Sequence, residues 1–233
     1  NLGWATDGTN QNSWMWKRGQ GFDVVAYHGD KKGVLPDKCT PVPHSLNAVP
    51  EMIWTKGRNS TSNWSVYHKG LNGGTNPEQY YLELDNTNVE ATATNRWNDT
   101  APTSTHFFVG DNSDTGATSD YYIAMLFASA NDVDGNPISK VGYYTGTGVT
   151  SAHQITLGFQ PRYLILKGTN GTNWWTFDTV RGWNGSSDKV MNLDNTDASA
   201  NIGGFATPNA TGFNIITDGV GTVSYTHLRA HET

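Results

Sequence analysis

Short apolar runs, each closed by Gly, Asn or Asp, recur along the chain with the periodicity of strands. Phe22 to Tyr27 is a β-rich run ended by Gly29-Asp30. Met52-Ile53-Trp54 and Tyr163-Leu164-Ile165-Leu166 are continuous apolar runs that follow a proline and are bounded by Lys-Gly. Runs of this kind predict strands buried on both faces. Trp64 to Tyr67, Tyr80 to Leu84, His106 to Val109 and Tyr121 to Phe127 predict four more. Turn clusters such as Asn72-Gly73-Gly74, Asp111-Asn112-Ser113-Asp114 and Asp134-Gly135-Asn136 separate them. No stretch sustains a 3.6-residue period with caps, and Val89 to Arg96, the longest helix-compatible one, is broken by Thr92, Thr94 and Asn95. The pattern predicts an all-β protein of β-sandwich or jelly-roll units.

The pattern also repeats itself. Pro50 to Gly57 aligns with Pro161 to Gly168, and Asn63-Trp64 with Asn173-Trp174. Leu84-Asp85-Asn86-Thr87 then aligns with Leu193-Asp194-Asn195-Thr196, and Pro102 to Phe107 with Pro208 to Phe213. The offset shrinks steadily along the chain, as short loop deletions would make it. A repeat this long predicts domains in an array rather than solenoid turns. Trp14-Met15-Trp16 falls where Met125-Leu126-Phe127 lies in the following unit, so residues 1–20 are expected to be the closing strand of a preceding repeat. Residues 21–130 form a first sandwich, 131–138 a linker, and 139–222 a second sandwich that stops before its closing strand. Residues 223–233 resemble a translated sequencing adapter of the transposase type, which makes the chain a metagenomic fragment. An open sandwich invites strand addition. The orphan strand at Trp14 to Trp16 is expected to pack against one unit, or the adapter-like residues to fill the gap.

Composition narrows the function. The 233 residues are rich in Gly, with nine Trp, 12% aromatics and 15% charged residues, which is too aromatic for disorder. No apolar run reaches the roughly 18–20 residues of a membrane-spanning helix. A net charge of -6 with scattered Lys and Arg provides no basic patch for nucleic acid. The single cysteine, Cys39, excludes an internal disulfide framework and a cysteine-based zinc site.

Catalytic chemistry has one candidate. Glu83 and Asp85 alternate on a strand, and the segment resembles the E-x-D-x-x-E strand of laminarinase-type glycoside hydrolases, in which two carboxyls act as a pair. Asn88 stands where a third acid is needed, so that role would fall to Glu78 or Glu90. The second copy reads Asn192-Leu193-Asp194, and what both copies share is a strand end followed by an Asp-Asn turn. No catalytic residue is therefore assigned. Asp132, Asp134 and Asn136 are oxygen-rich, yet an EF-hand register would put Ala130 and Val141 at its ligand positions. A structural calcium site from carbonyls and one or two Asp stays open; no other cofactor is expected. His44, His68, His106 and His153 are read as core or surface residues, with Asp178 as the repeat partner of His68. Trp174, Trp175 and Trp183, with Asn173 and Asn184, form a polar–aromatic cluster, and Trp64 and Tyr67 are its counterpart. Sugar rings stack on such aromatics while amides bond their hydroxyls, so these are carbohydrate-binding candidates; core packing is the competing reading.

Several segments carry a family likeness: residues 142–148, Leu-Gly-Phe-Gln-Pro (157–161), Leu-Ile-Leu-Lys (164–167), Asn-Trp-Trp (173–175), Asp178 to Gly182 and Thr-Gly-Phe (211–213). Ala48 to Pro50, Trp64 to Gly70 and Ala101 to Phe107 carry it in the first copy, and Trp14 to Lys17 at the start. Together they resemble a repeat of marine bacteriophage virion and tail-fibre proteins, a family of unknown function similar to concanavalin and laminin-G sandwiches. The resemblance implies a non-enzymatic virion module of tandem sandwiches, located in the tail fibre or on an extracellular surface. It also implies other virion or fibre subunits as partners, a homotrimer among them, and a host-surface glycan as ligand. A glycan-degrading module and a bacterial surface lectin are the alternatives.

Overall fold

The structure, a computed structural model, describes residues 15–30, 39–146 and 153–216, together with the backbone of 226–231. It is all-β. The first copy contributes β1 (Phe22–His28), β2 (Thr40–Pro43), β3 (Met52–Gly57), β4 (Ser65–His68), β5 (Tyr80–Glu83), β6 (Ala91–Thr92), β7 (His106–Val109) and β8 (Tyr121–Phe127). The second contributes β9 (Ala130–Asn131), β10 (Pro137–Tyr144), β11 (His153–Thr156), β12 (Tyr163–Gly168), β13 (Trp174–Asp178), β14 (Lys189–Asn192), β15 (Ala200–Asn201), β16 (Ala206–Asn209), β17 (Gly212–Ile215) and β18 (Thr226–His231). Two single-turn 3-10 helices, Leu71–Gly74 and Pro77–Gln79, sit in one loop. The strands predicted from the apolar runs are all present, and Val89 to Arg96 contains the short β6 instead of a helix.

Each copy builds one large and one small sheet. The large sheets run β1-β8-β3-β4-β5-β6 and β15-β14-β13-β12-β18-β10-β9; the small ones are β2-β7 and β11-β17-β16. Pairing registers repeat between copies. Phe127 lies opposite Phe22 and Met52, as His231 lies opposite Ser139 and Tyr163. Met52 pairs with His68 and Tyr163 with Asp178; Ser65 pairs with Glu83 and Trp175 with Asn192. The positions aligned in sequence are therefore the positions equivalent in space.

Strands β3 and β12 are buried on both faces because each large sheet is covered twice. Ile53 joins Val42, Phe107 and Val109 in a cluster between the first large sheet and β2-β7. Leu164 and Leu166 join Phe177, Phe213 and Ile215 between the second large sheet and its small partner. The alternate residues Met52, Trp54 and Ile165 meet in a third cluster with Phe22, Leu82, Phe127, Val141 and Trp174. The two large sheets thus face each other across a core supplied by both copies. Trp174 donates its indole N–H to the Glu83 carbonyl at 2.7 Å, and the Glu90 N–H reaches the Thr169 carbonyl at 3.1 Å. Tyr143 lies over Gly70, where a Cβ would come within 2.5 Å of its ring. At the joint, β9 and β10 form a hairpin around Asp132, whose Oδ1 accepts the Asp134 and Asn136 N–H groups at 2.9 and 2.8 Å.

The ends behave differently from each other. Met15 to Lys17 forms no strand; Trp16 instead packs its ring near Phe22, Trp54 and Phe127, at 5.9, 6.2 and 6.2 Å between centroids. Trp14 and the residues before it lie outside the described residues. Of the adapter-like segment, Thr226–His231 forms β18 in the slot between β10 and β12, the place β8 takes in the first copy. Residues 223–225, Tyr225 included, and 232–233 lie outside the description. Register sets Arg229 and His231 where β8 carries Met125 and Phe127. Two facing sheet edges pair with any extended backbone, so the slot recruits a strand whose sequence lacks the apolar alternation of β8. Truncation after Ser224 is expected to lower the melting temperature and to raise binding of a hydrophobic dye. An unchanged melting curve would show that β18 adds nothing to the second sheet.

Candidate functional site

Strand alternation sends Leu82 into the shared cluster and Tyr81 and Glu83 to the opposite face of β5. There Arg96, from the turn after β6, meets them almost fully buried. Its guanidinium lies 3.5 Å from the Tyr81 ring centroid, a cation–π contact. Nη2 approaches Glu83 Oε1 at 3.3 Å, Nη1 approaches Asp114 Oδ2 at 2.8 Å, and Nη1 also donates to the Ser65 hydroxyl. Glu83 Oε2 accepts the side-chain amides of Asn86 and Asn88 at 2.7 and 2.9 Å. Burial alone would raise the Glu83 pKa; hydrogen bonds from Asn86, Asn63 and Asn88 and the charge of Arg96 together outweigh it and hold the carboxyl below its ordinary value. Glu83 is a fixed anion.

This network backs a groove of about 440 Å³ lined by Tyr81, Glu83, Thr87, Asn88, Val89, Ala91 and Gly171. The first copy's β5–β6 turn forms one wall. Gly171, in the β12–β13 hairpin, brings the second copy to the other, at a φ of +91° that glycine adopts without strain. A larger depression of about 590 Å³ near the joint includes Asp132, Asn136, Gly158 and Gln160. There Asp132 is taken up by its own turn, bonding Asn136 by side chain and backbone, which lowers its pKa.

The second copy carries different chemistry at the equivalent place. Register equates Tyr81 with Val190, Ser65 with Trp175 and Glu83 with Asn192. The Gly110 N–H bonds the Arg96 carbonyl as the Ile216 N–H bonds that of Phe205, which equates Arg96 with Phe205. Trp175 and Phe205 meet edge to face, with centroids 5.8 Å apart, where the first copy keeps its ion pair.

The carbohydrate-binding candidates divide. Trp174, Trp183 and Tyr67 are buried in the core, and Trp183 donates its indole N–H to the Ala206 carbonyl at 2.7 Å. Trp175 is half-buried against Phe177 and Phe205; Trp64 is half-buried at the edge of the shared cluster. Asn184 is exposed, but its Oδ1 accepts the Ser186 and Ser187 N–H groups of its own turn at 2.9 and 3.3 Å. Asn173 is half-buried just before β13. The two-sided burial of the large sheets takes Trp174, Trp183 and Tyr67 into the core, while Trp175, Trp64 and Asn173 stay half-buried and Asn184 exposed.

The acids also divide. Asp85 accepts the Trp64 N–H at 3.2 Å, and its counterpart Asp194 accepts the Trp174 N–H at 3.0 Å, so both copies use this Asp to fix the chain entering the next strand. Glu90 accepts the Asn72 N–H at 3.0 Å, with a pKa raised by burial, and Glu78 sits in the 3-10 turn. His68 is buried and accepts the Gly70 N–H at 2.9 Å; His44 bridges toward Thr103. Asp114, in the second oxygen-rich turn, is spent on Arg96. Among the described residues no group of three or more His, Cys, Asp or Glu could hold a metal ion, and no helix is long and apolar enough to cross a membrane. Sequence reasoning singled out Glu83 but not Tyr81, Arg96 or Asn88. An arginine beside Trp97 in a charge-poor chain was the available signal.

These features define a class: an all-β protein of duplicated antiparallel sheets, with a groove of mixed polar and apolar lining where the copies meet. The chain belongs to the family described as Domain of unknown function (DUF7483), whose profile matches residues 4–224, across both copies. No curated protein and no solved structure gives a significant match.

Two measurements check this description. Trp174→Ala is expected to destabilise the protein by about 3–5 kcal/mol in urea unfolding, as loss of a core indole does; a much smaller effect would place the ring outside the core. For Glu83, a folded pKa below the unfolded one adds stability that is complete above about pH 4.5 and disappears as pH falls through the folded value. Glu83→Gln is therefore expected to be less stable than wild type at pH 7, with the gap narrowing at pH 3.

Proposed function

We propose that the protein is a non-catalytic structural and adhesive module of a phage virion, a tail-fibre segment that engages host-surface glycans. In this reading the copies are jelly-roll sandwiches of the concanavalin and laminin-G type. Other virion or fibre subunits are its partners, further copies of this chain in a homotrimer among them, and the tail fibre or an extracellular surface is its location. The virion assignment draws on the sequence resemblance. What supports the non-catalytic part is one observation: Glu83, the acid with the best claim to glycosidase chemistry, is locked between Arg96 and its asparagines, while Asp85 caps a backbone N–H. A retaining glycosidase needs one carboxyl to cycle its proton and a second about 5–5.5 Å away to attack, and these roles require freely reacting oxygens. Adhesion needs neither, only a rigid surface that is preorganised.

The test is binding of labelled protein to a polysaccharide array and a panel of marine bacteria, with reducing-sugar release followed in the same wells. Saturable binding without release is the expected result. Release that Glu83→Gln abolishes would overturn the proposal in favour of a glycoside hydrolase.

A further inference from the structure

Building on the adhesive reading, we propose that the groove between the β5–β6 turn and the β12–β13 hairpin is a single saccharide site per chain, selective for neutral glycans. Its volume of about 440 Å³ falls within the range of small-molecule sites. The lining decides the ligand class by elimination. An anionic glycan would face Glu83 with Asp114 behind it, and Arg96, the cation at hand, is already shared between those two carboxylates and Ser65. A cation would compete with Arg96 for Glu83. A wholly apolar ligand would find Val89 and Ala91 but would desolvate Thr87 and Asn88 without giving them partners, whereas a sugar ring offers C–H faces to the first pair and hydroxyls to the second. A neutral polyhydroxylated ring satisfies each of these constraints.

The roles follow from the bonds in place. Glu83 is a positioning residue: by accepting the Asn88 amide N–H at 2.9 Å it fixes which end of that amide points inward. The Asn88 side-chain carbonyl oxygen, with no protein partner among the described residues, is left for a sugar hydroxyl, and the exposed Thr87 precedes it on the same wall. Asn88 is itself held by its backbone N–H, which donates to Asn86 Oδ1 at 2.9 Å. Tyr81, with one face covered by Arg96, contributes the rest of its ring to the groove wall. Among the described residues the turn recurs, with Asn195 and Thr196 at the places of Asn86 and Thr87, but the groups behind it do not. In the second copy Val190, Asn192, Trp175 and Phe205 stand at the places of Tyr81, Glu83, Ser65 and Arg96. The duplicated sheets therefore generate one site per pair of copies, with Gly171 of the second copy completing the wall of the first.

The experiment is calorimetric titration of the full chain with neutral hexasaccharides (laminarihexaose, maltohexaose, mannohexaose) and with an alginate hexasaccharide as the anionic control. Wild type is expected to bind at least one neutral probe at one per chain, and alginate not at all. Asn88→Ala should weaken binding about fivefold, the effect of one neutral hydrogen bond. Thr87→Trp, which fills the groove from an exposed turn, should abolish it. Thr87→Trp should keep the wild-type melting temperature, and Asn88→Ala should lower it only slightly, by the loss of one bond to Glu83, with a cooperative transition in both, so a loss of binding is not a loss of fold. Binding that survives both substitutions, or two equivalents per chain, would overturn the groove while leaving adhesion standing. Alginate binding, or silence toward all neutral probes, would overturn the ligand class. If the chain then also fails to bind bacterial cells, the adhesive reading falls with it.

Discussion

The structure depends on keeping both faces of two large sheets dry. Strands β3 and β12 alternate apolar side chains to opposite faces, so each sheet needs a cover on either side. A small sheet of the same copy supplies the outer cover. The inner cover is the other copy, through the cluster that unites Met52, Trp54 and Leu82 with Val141, Ile165 and Trp174. Burying a large apolar side chain stabilises by roughly 1.5–3 kcal/mol, so the shared cluster contributes on the scale of a domain's whole net stability of about 5–15 kcal/mol. The copies share one core, and the family profile spans both.

That constraint explains where function is available. Aromatics that would suit sugar stacking are drawn into three cores, and the polar chemistry that survives lies where the copies meet. The first copy spends Arg96, Glu83 and Asp114 on a nearly buried ion network, whereas the second packs Phe205 on Trp175 at the same place. Replacing a buried ion network by apolar residues is commonly neutral or stabilising, so the second copy shows that this fold tolerates the apolar solution. The network in the first copy is then best understood through what it holds in place: the Tyr81 ring and the Asn86 and Asn88 amides at the rim of a groove.

The same logic covers the end of the chain. The first large sheet closes on β8, the last strand of its copy. The second closes on Thr226–His231, beyond the reach of the family profile. Unpaired N–H and C=O groups along two edges set a strong demand for a strand and a weak demand for its sequence. Trp16 meets a different need, covering Phe22, Trp54 and Phe127 without joining a sheet.

The sequence by itself determined the strands and the duplication, because both are local: period, turn residues and collinear matches need no partner to be read. It also pointed to a strand end and turn at Leu-Asp-Asn-Thr in both copies, since that reading needs only the local residues; that the Asp reaches back to the Trp64 or Trp174 N–H was visible only in the fold. Tertiary structure alone decided that the copies share a core, because an apolar residue's pattern reports that it is buried but not against what. For the same reason Trp174 reads identically as a binding residue and as a buried one until its indole is seen donating to the Glu83 carbonyl. The groove was illegible too. Asn88 and Gly171 are far apart in the chain, and only the facing of two sheets brings them to one groove.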